Sequence, residues 1–159
     1  MKNHIVTGLL IAALAGVAAT ANAQPIMTAG SDFIAASPAD AANVEVGVVG
    51  LQNVGTAQAT VIGTVKREPA SSPDGSQVVT LDFYNPGGVN FNGTVWAYSS
   101  NQNFFGEGYF QVSGNPNRDP VGWVTKTMTF TSSEINNTSY YEAVVYLPPK
   151  ASIYGAQAN

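Results

Sequence analysis

Residues 139–154 read SYYEAVVYLPPKASIY, and no other stretch limits the fold so tightly. Tyr141, Ala143, Val145 and Leu147 alternate with Tyr140, Glu142 and Tyr146, a period of two that belongs to a strand buried on one face. Pro148 and Pro149 follow. Proline has no N–H to give to a ladder, so the strand must stop there. A short second run from Ala151 to Tyr154 resumes beyond the break and is expected at a sheet edge, where missing donors matter least. The chain has no cysteine, so packing and backbone pairing must hold this strand in place.

The same period recurs upstream. Val44, Val46 and Val48 alternate with Glu45 and Gly47. Ala59, Val61, Gly63 and Val65 alternate with Thr60, Ile62 and Thr64, and Val79, Leu81 and Phe83 with Thr80, Asp82 and Tyr84. Val89, Phe91, Gly93, Val95 and Ala97 alternate with Asn90, Asn92, Thr94, Trp96 and Tyr98. Residues 101–108 read as a loop and 109–112 as a short strand. Residues 121–131 form a Thr-dense run with Val124, Met128 and Phe130 on one parity. Turn chemistry punctuates these runs at Asn53-Val54-Gly55-Thr56, at Asn85-Pro86-Gly87-Gly88 and in the loops of residues 67–76 and 114–120. No sustained helical period appears. The expected fold is all-β: a single antiparallel β-sandwich, immunoglobulin-like in general build, of about seven or eight strands.

The first residues have a separate purpose. Lys2 precedes an apolar run from Ile5 to Thr20, and Ala21-Asn22-Ala23 forms a small-residue cleavage site. Charged, apolar and cleavage regions in that order read as a secretory signal peptide over residues 1–23. The apolar run is short for a membrane span, and no second run matches it. The expected product is a secreted, periplasmic or cell-surface protein with no membrane span after cleavage. Residues 24–42 are rich in Ala, Ser and Pro and read as an extended lead-in, with a short strand near residues 26–33. The sandwich domain is expected over residues 43–155, and a frayed tail over 156–159.

Composition excludes several function classes. Beyond the cleavage site five basic residues, Lys66, Arg67, Arg118, Lys126 and Lys150, stand against ten acidic ones. Without a Lys/Arg cluster the chain cannot neutralise phosphates, so nucleic acid is an unsuitable partner. The one histidine, His4, is lost with the signal peptide. Ser-His-Asp and Cys-His nucleophiles, and zinc sites built on His or Cys, therefore have no residues to form them. No cofactor motif is present. Paired carboxylates support glycoside hydrolysis, but Asp82, Glu107, Asp119, Glu134 and Glu142 fall into no constellation, and on strands they read as solvated side chains. Asn115, Asn117 and Asp119 alternate as calcium ligands do, yet one carboxylate beside Arg118 is a poor donor set. The expectation is a non-enzyme with no metal.

The aromatic residues carry the remaining signal. Trp96 and Tyr98 share a strand face opposite Val95 and Ala97, which read as core. Phe104, Phe105, Tyr109 and Phe110 gather around Gly106 and Gly108, and Trp123 follows the next loop. Rings flanked by Asn, Gln and Glu either fill the sandwich core or stack on a sugar or protein partner. The candidate binding residues are therefore Trp96, Tyr98, Phe104, Phe105, Tyr109 and Trp123. The functional expectation is an exported surface or envelope β-sandwich with a binding or structural role, its partner a glycan or another envelope protein. Two narrower forms are a carbohydrate-binding module using these aromatics, and a polymerising subunit donating residues 24–42 to a neighbour's sheet edge.

Overall fold

The computed structural model describes residues 28–48, 50–66, 75–131, 134 and 140–159. The expected signal peptide over residues 1–23, and most of the loop at 67–76, lie outside the described residues. Four short strands come first: β1 (Thr28–Ala29), β2 (Ile34–Ala35), β3 (Val44–Gly47) and β4 (Gly50–Asn53). A 3-10 turn at Gly30–Asp32 and a one-turn helix α1 (Pro38–Ala41) lie among them. Seven long strands follow: β5 (Ala59–Lys66), β6 (Gln77–Asn85), β7 (Phe91–Tyr98), β8 (Phe104–Val112), β9 (Gly122–Phe130), β10 (Tyr140–Leu147) and β11 (Ser152–Ala158).

They build two antiparallel sheets packed as a sandwich. One runs β3-β4-β11-β6-β9, with β1 pairing the far half of β11. The other runs β2-β5-β10-β7-β8. The period of two explains the core directly. Val61 and Val65 of β5, Val95 and Ala97 of β7, and Tyr141, Ala143, Val145 and Leu147 of β10 all point inward and are fully buried. Val79, Leu81 and Phe83 of β6 do the same from the facing sheet. Phe83 bridges the layers, edge-on to Phe91 with ring centroids at 5.2 Å and stacked on Phe110 at 5.4 Å.

β10 is a central strand, between β5 and β7. β11 is central too, which corrects the expectation of an edge. It lies between β6 and the shorter β4 and β1. The reason lies in the turn. Lys150 takes a left-handed backbone, φ 70°, and its N–H bonds to the Asn53 carbonyl at 2.8 Å. The double proline is thus absorbed before β11 begins, and β11 pairs with β6 from Ser152 to Ala158 with one bulge at Tyr154. The frayed tail is corrected as well. Ala158 is fully buried, and Asn159 exchanges two backbone hydrogen bonds with Val78, each 3.0 Å.

The start of the fold also differs from an extended lead-in. Phe33 is buried in the core, its ring lying over Gly63, where an added Cβ would clash with it. Ser37 caps α1 by accepting the Asp40 N–H, and Asp40 in turn accepts the Thr60 N–H at 2.8 Å. Residues 101–108, read as a loop, are largely strand, because β8 begins at Phe104 and pairs with β7 along its length.

Candidate functional site

Five of the six candidate rings lie on the sheet formed by β2, β5, β10, β7 and β8. Trp96 and Tyr98 occupy its outer face because Val95 and Ala97 occupy the inner one. Strand register then fixes their neighbours. Tyr98 lies between Tyr140 of β10 and Phe104 of β8. It stacks on Tyr140, centroids 5.7 Å apart and planes 25° from parallel, and meets Phe104 edge-on at 6.3 Å. One step along, Trp96 lies between Glu142 and Glu107. One step further, Tyr109 pairs with Thr94, and its hydroxyl accepts from Asn92 Nδ2 at 2.9 Å.

The face is thus a row of three rings beside a row in which two carboxylates flank an indole. Phe104 and Tyr109 are 55% and 61% exposed, so the edge strand β8 offers its rings to solvent. Phe105 is half-buried as the extra residue of a bulge where β8 shifts register opposite Ala97 and Tyr98. A cleft of about 390 Å³ opens between Tyr98, Tyr140, Glu142 and Gln102, the last in a left-handed turn. Burial there, then the nearby Glu142 charge and Tyr140, push the Tyr98 hydroxyl above its ordinary pKa of 10.0. It therefore remains a neutral donor at any physiological pH.

Tyr140 was not among the candidate residues, although its parity opposite Tyr141 already placed it outward. Trp123 is the exception in the other direction. It sits on the outer face of the other sheet, and the structure does not bring it together with Trp96 and Tyr98.

The carboxylates fall into separate roles. Asp119 is held by Lys126 at 2.7 Å and accepts the Ser113 N–H at 2.7 Å, which ties down the β8–β9 loop. Glu134 caps its own turn through the Thr131 N–H and hydroxyl. Asp82 accepts from the Thr125 hydroxyl. Glu107 and Glu142 share a face, in register on either side of Trp96. Among the described residues no cluster of three His, Cys, Asp or Glu side chains is arranged to hold a metal ion. No described helix is long and apolar enough to cross a membrane.

No protein-family model matches the chain, and no curated protein matches it. Solved structures are similar to it at low identity. One is a C-terminal carbohydrate-binding module of family 6 from the laminarinase LamC of Zobellia galactanivorans: 11% identity, 86% of this chain and 99% of that one, TM-score 0.47. A xylan-binding module of family 15 is 7% identical over 85% of this chain and 96% of that one, TM-score 0.48. The first family 22 xylan-binding domain of Paenibacillus barcinonensis Xyn10C is 11% identical over 84% and 92%, TM-score 0.45.

Proposed function

We propose that this chain is a non-enzymatic, exported glycan-binding β-sandwich, and that its ligand lies along the outer face of the β2-β5-β10-β7-β8 sheet. The observation that carries the reading is the outward row Tyr140–Tyr98–Phe104 set beside Trp96 and its two flanking carboxylates. Rings of this kind pack against the C–H faces of pyranoses. Glu142, Glu107, Gln102 and the neutral Tyr98 hydroxyl supply acceptors and donors for sugar hydroxyls at the border. Rigid strands hold these groups, so little ordering is required on binding. Strand donation by residues 24–42 has less support, because β1 and β2 already pair with β11 and β5 of their own chain.

Tryptophan fluorescence tests the proposal. In a Trp123→Phe background the emission comes from Trp96 alone. Titration with soluble neutral polysaccharides should quench or blue-shift it, and Tyr98→Ala should weaken that binding at least about tenfold. An unchanged spectrum across xylan, β-glucan, mannan and galactan would sink the reading.

A further inference from the structure

Trp123 belongs to a second arrangement, on the opposite side of the sandwich. Register sets Tyr84 of β6 directly across from Trp123 of β9, ring centroids 5.2 Å apart. β11 shifts register between Ile153 and Gly155, and this bulge brings Tyr154 to the same indole, centroids 4.4 Å apart and edge-on at 80°. Three strands thus each contribute a ring to one cluster. Trp123 is 54% exposed and Tyr84 36%. The core gains nothing from an outward indole on an edge strand, since Val124 and Met128 of the same strand already fill the inner side.

Polar groups continue the patch. Thr125 Oγ1 donates to Asp82 Oδ1 at 2.6 Å in the next row. Thr80 pairs with Thr127 in the row beyond, with Gln157 of β11 on its other side. Charge restricts what fits. The ionised side chains that register places on this outer face, among the described residues, are Asp82 and Glu45, both acidic. Lys126 has the inward parity of Val124 and Met128 and is held by Asp119. These two carboxylates do not favour anionic polymers or anionic lipid. A neutral glycan is matched, with C–H faces for the rings and hydroxyls for Asp82, the threonines and Gln157.

We infer that Tyr84, Trp123 and Tyr154 form a second platform for neutral glycans, and that the chain bridges two glycan chains, one on each sheet. The bridging rests on the first face binding glycan as proposed above. The two platforms look in opposite directions because the sheets pack face to face, about 10 Å apart. A single straight glycan cannot lie on both. The consequence is cross-linking, not tighter hold on one chain.

Calorimetry with cellohexaose, xylohexaose, laminarihexaose and mannohexaose tests this. The expected result is two sites per protein for at least one probe. Trp123→Ala should remove one, the double substitution Trp96→Ala with Tyr98→Ala the other, and both variants should melt as the parent does because these rings are exposed or half-exposed. Mixed with the matching long polysaccharide, the parent should scatter light as a network while each single-face variant binds without doing so. One site, unaffected by Trp123→Ala, overturns the second platform and leaves the first standing. One site, removed by Trp123→Ala alone, overturns the first face and the bridging with it. No heat from any probe overturns both.

Discussion

Tyr141 and Gln77 meet in the middle of the sandwich, one from each sheet, where the phenol donates to Gln77 Oε1 at 2.6 Å. Both side chains are fully buried, and the Tyr141 ring rests 4.9 Å from Phe130, the register partner of Gln77. The contact joins β10 to β6 by a polar bond, as Asn53 Nδ2 joins β4 to the Leu147 carbonyl of β10 at 2.7 Å. A buried carboxamide that loses a partner retains its desolvation penalty. Tyr141→Phe is therefore expected to destabilise the fold by about 1–2 kcal/mol with the ring packing preserved. Tyr141→Ala, which also opens a cavity, should cost about 3–5 kcal/mol. Urea unfolding with an unchanged slope separates the two. Equal losses would mean that the hydroxyl contributes nothing.

Acid stability has a definite sign. Burial pushes the Asp119 carboxyl up, but the hydrogen bonds from Lys126 and the Ser113 N–H, with the Lys126 charge, outweigh it and leave the pKa below 3.8. Asp40 is lowered by the Ser37 hydroxyl and the Thr60 N–H, and Glu134 by the Thr131 hydroxyl and N–H. A carboxyl whose folded pKa is depressed adds stability that is complete above its unfolded pKa and is lost as pH falls through the folded one. The melting temperature should thus hold above about pH 5 and fall progressively below about pH 4. Asp119→Asn should make that acid fall shallower while lowering the plateau. A variant as acid-sensitive as the parent would show that Asp119 titrates normally.

How far the sequence led depended on what disturbs the period of two. The long strands with unbroken alternation, β5, β6, β7 and β10, were legible with their inward residues, because one buried face per strand dictates parity. Parity also put Trp96 and Tyr98 outward. The misreadings fall where a bulge or a turn intervenes. The bulge opposite Ala97 and Tyr98 hid the start of β8 among glycines. The bulge at Tyr154 hid the second half of β11, whose Gly155, Ala156 and Ala158 look like tail by composition and are core by position. Which rings cluster is a matter of strand order. Nothing local to Trp123 indicates that β9 lies beside β6 in the other sheet, so its separation from Trp96 is a fact of topology.

Val145 tests the parity of the central strand. It is fully buried, faces Val61 on one side and Gly93 on the other in register, and lies at the centre of β10. Val145→Asp would place an unpaired carboxylate among apolar side chains, a penalty exceeding the usual 5–15 kcal/mol of a small domain once packing losses are added, or else force it to protonate at a cost of several kcal/mol. The variant is expected to be insoluble or unfolded, without cooperative melting by circular dichroism. Tyr146→Asp, one residue on and exposed, should fold. The reverse outcome would mean that the strand is turned over.

Gly93 records how closely its two neighbours in the sheet, β8 and β10, crowd β7. An added Cβ would lie 2.5 Å from both the Phe110 ring and the Val144 carbonyl oxygen. The ring can shift, but the carbonyl belongs to the β10 ladder and cannot move without loosening it. Gly93→Ala should therefore destabilise by about 1–3 kcal/mol despite the better strand propensity of alanine. Adding Phe110→Leu should recover part of that loss and not all of it, a measurable departure from additivity between touching residues. Gly47→Ala is the control. Its Cβ would find only the Gly50 carbonyl oxygen, at an ordinary 3.6 Å, so its effect should stay within about 0.5 kcal/mol. If Gly93→Ala proved as mild as that control in urea unfolding, Phe110 and β10 would have to pack less tightly over β7 than their positions here require.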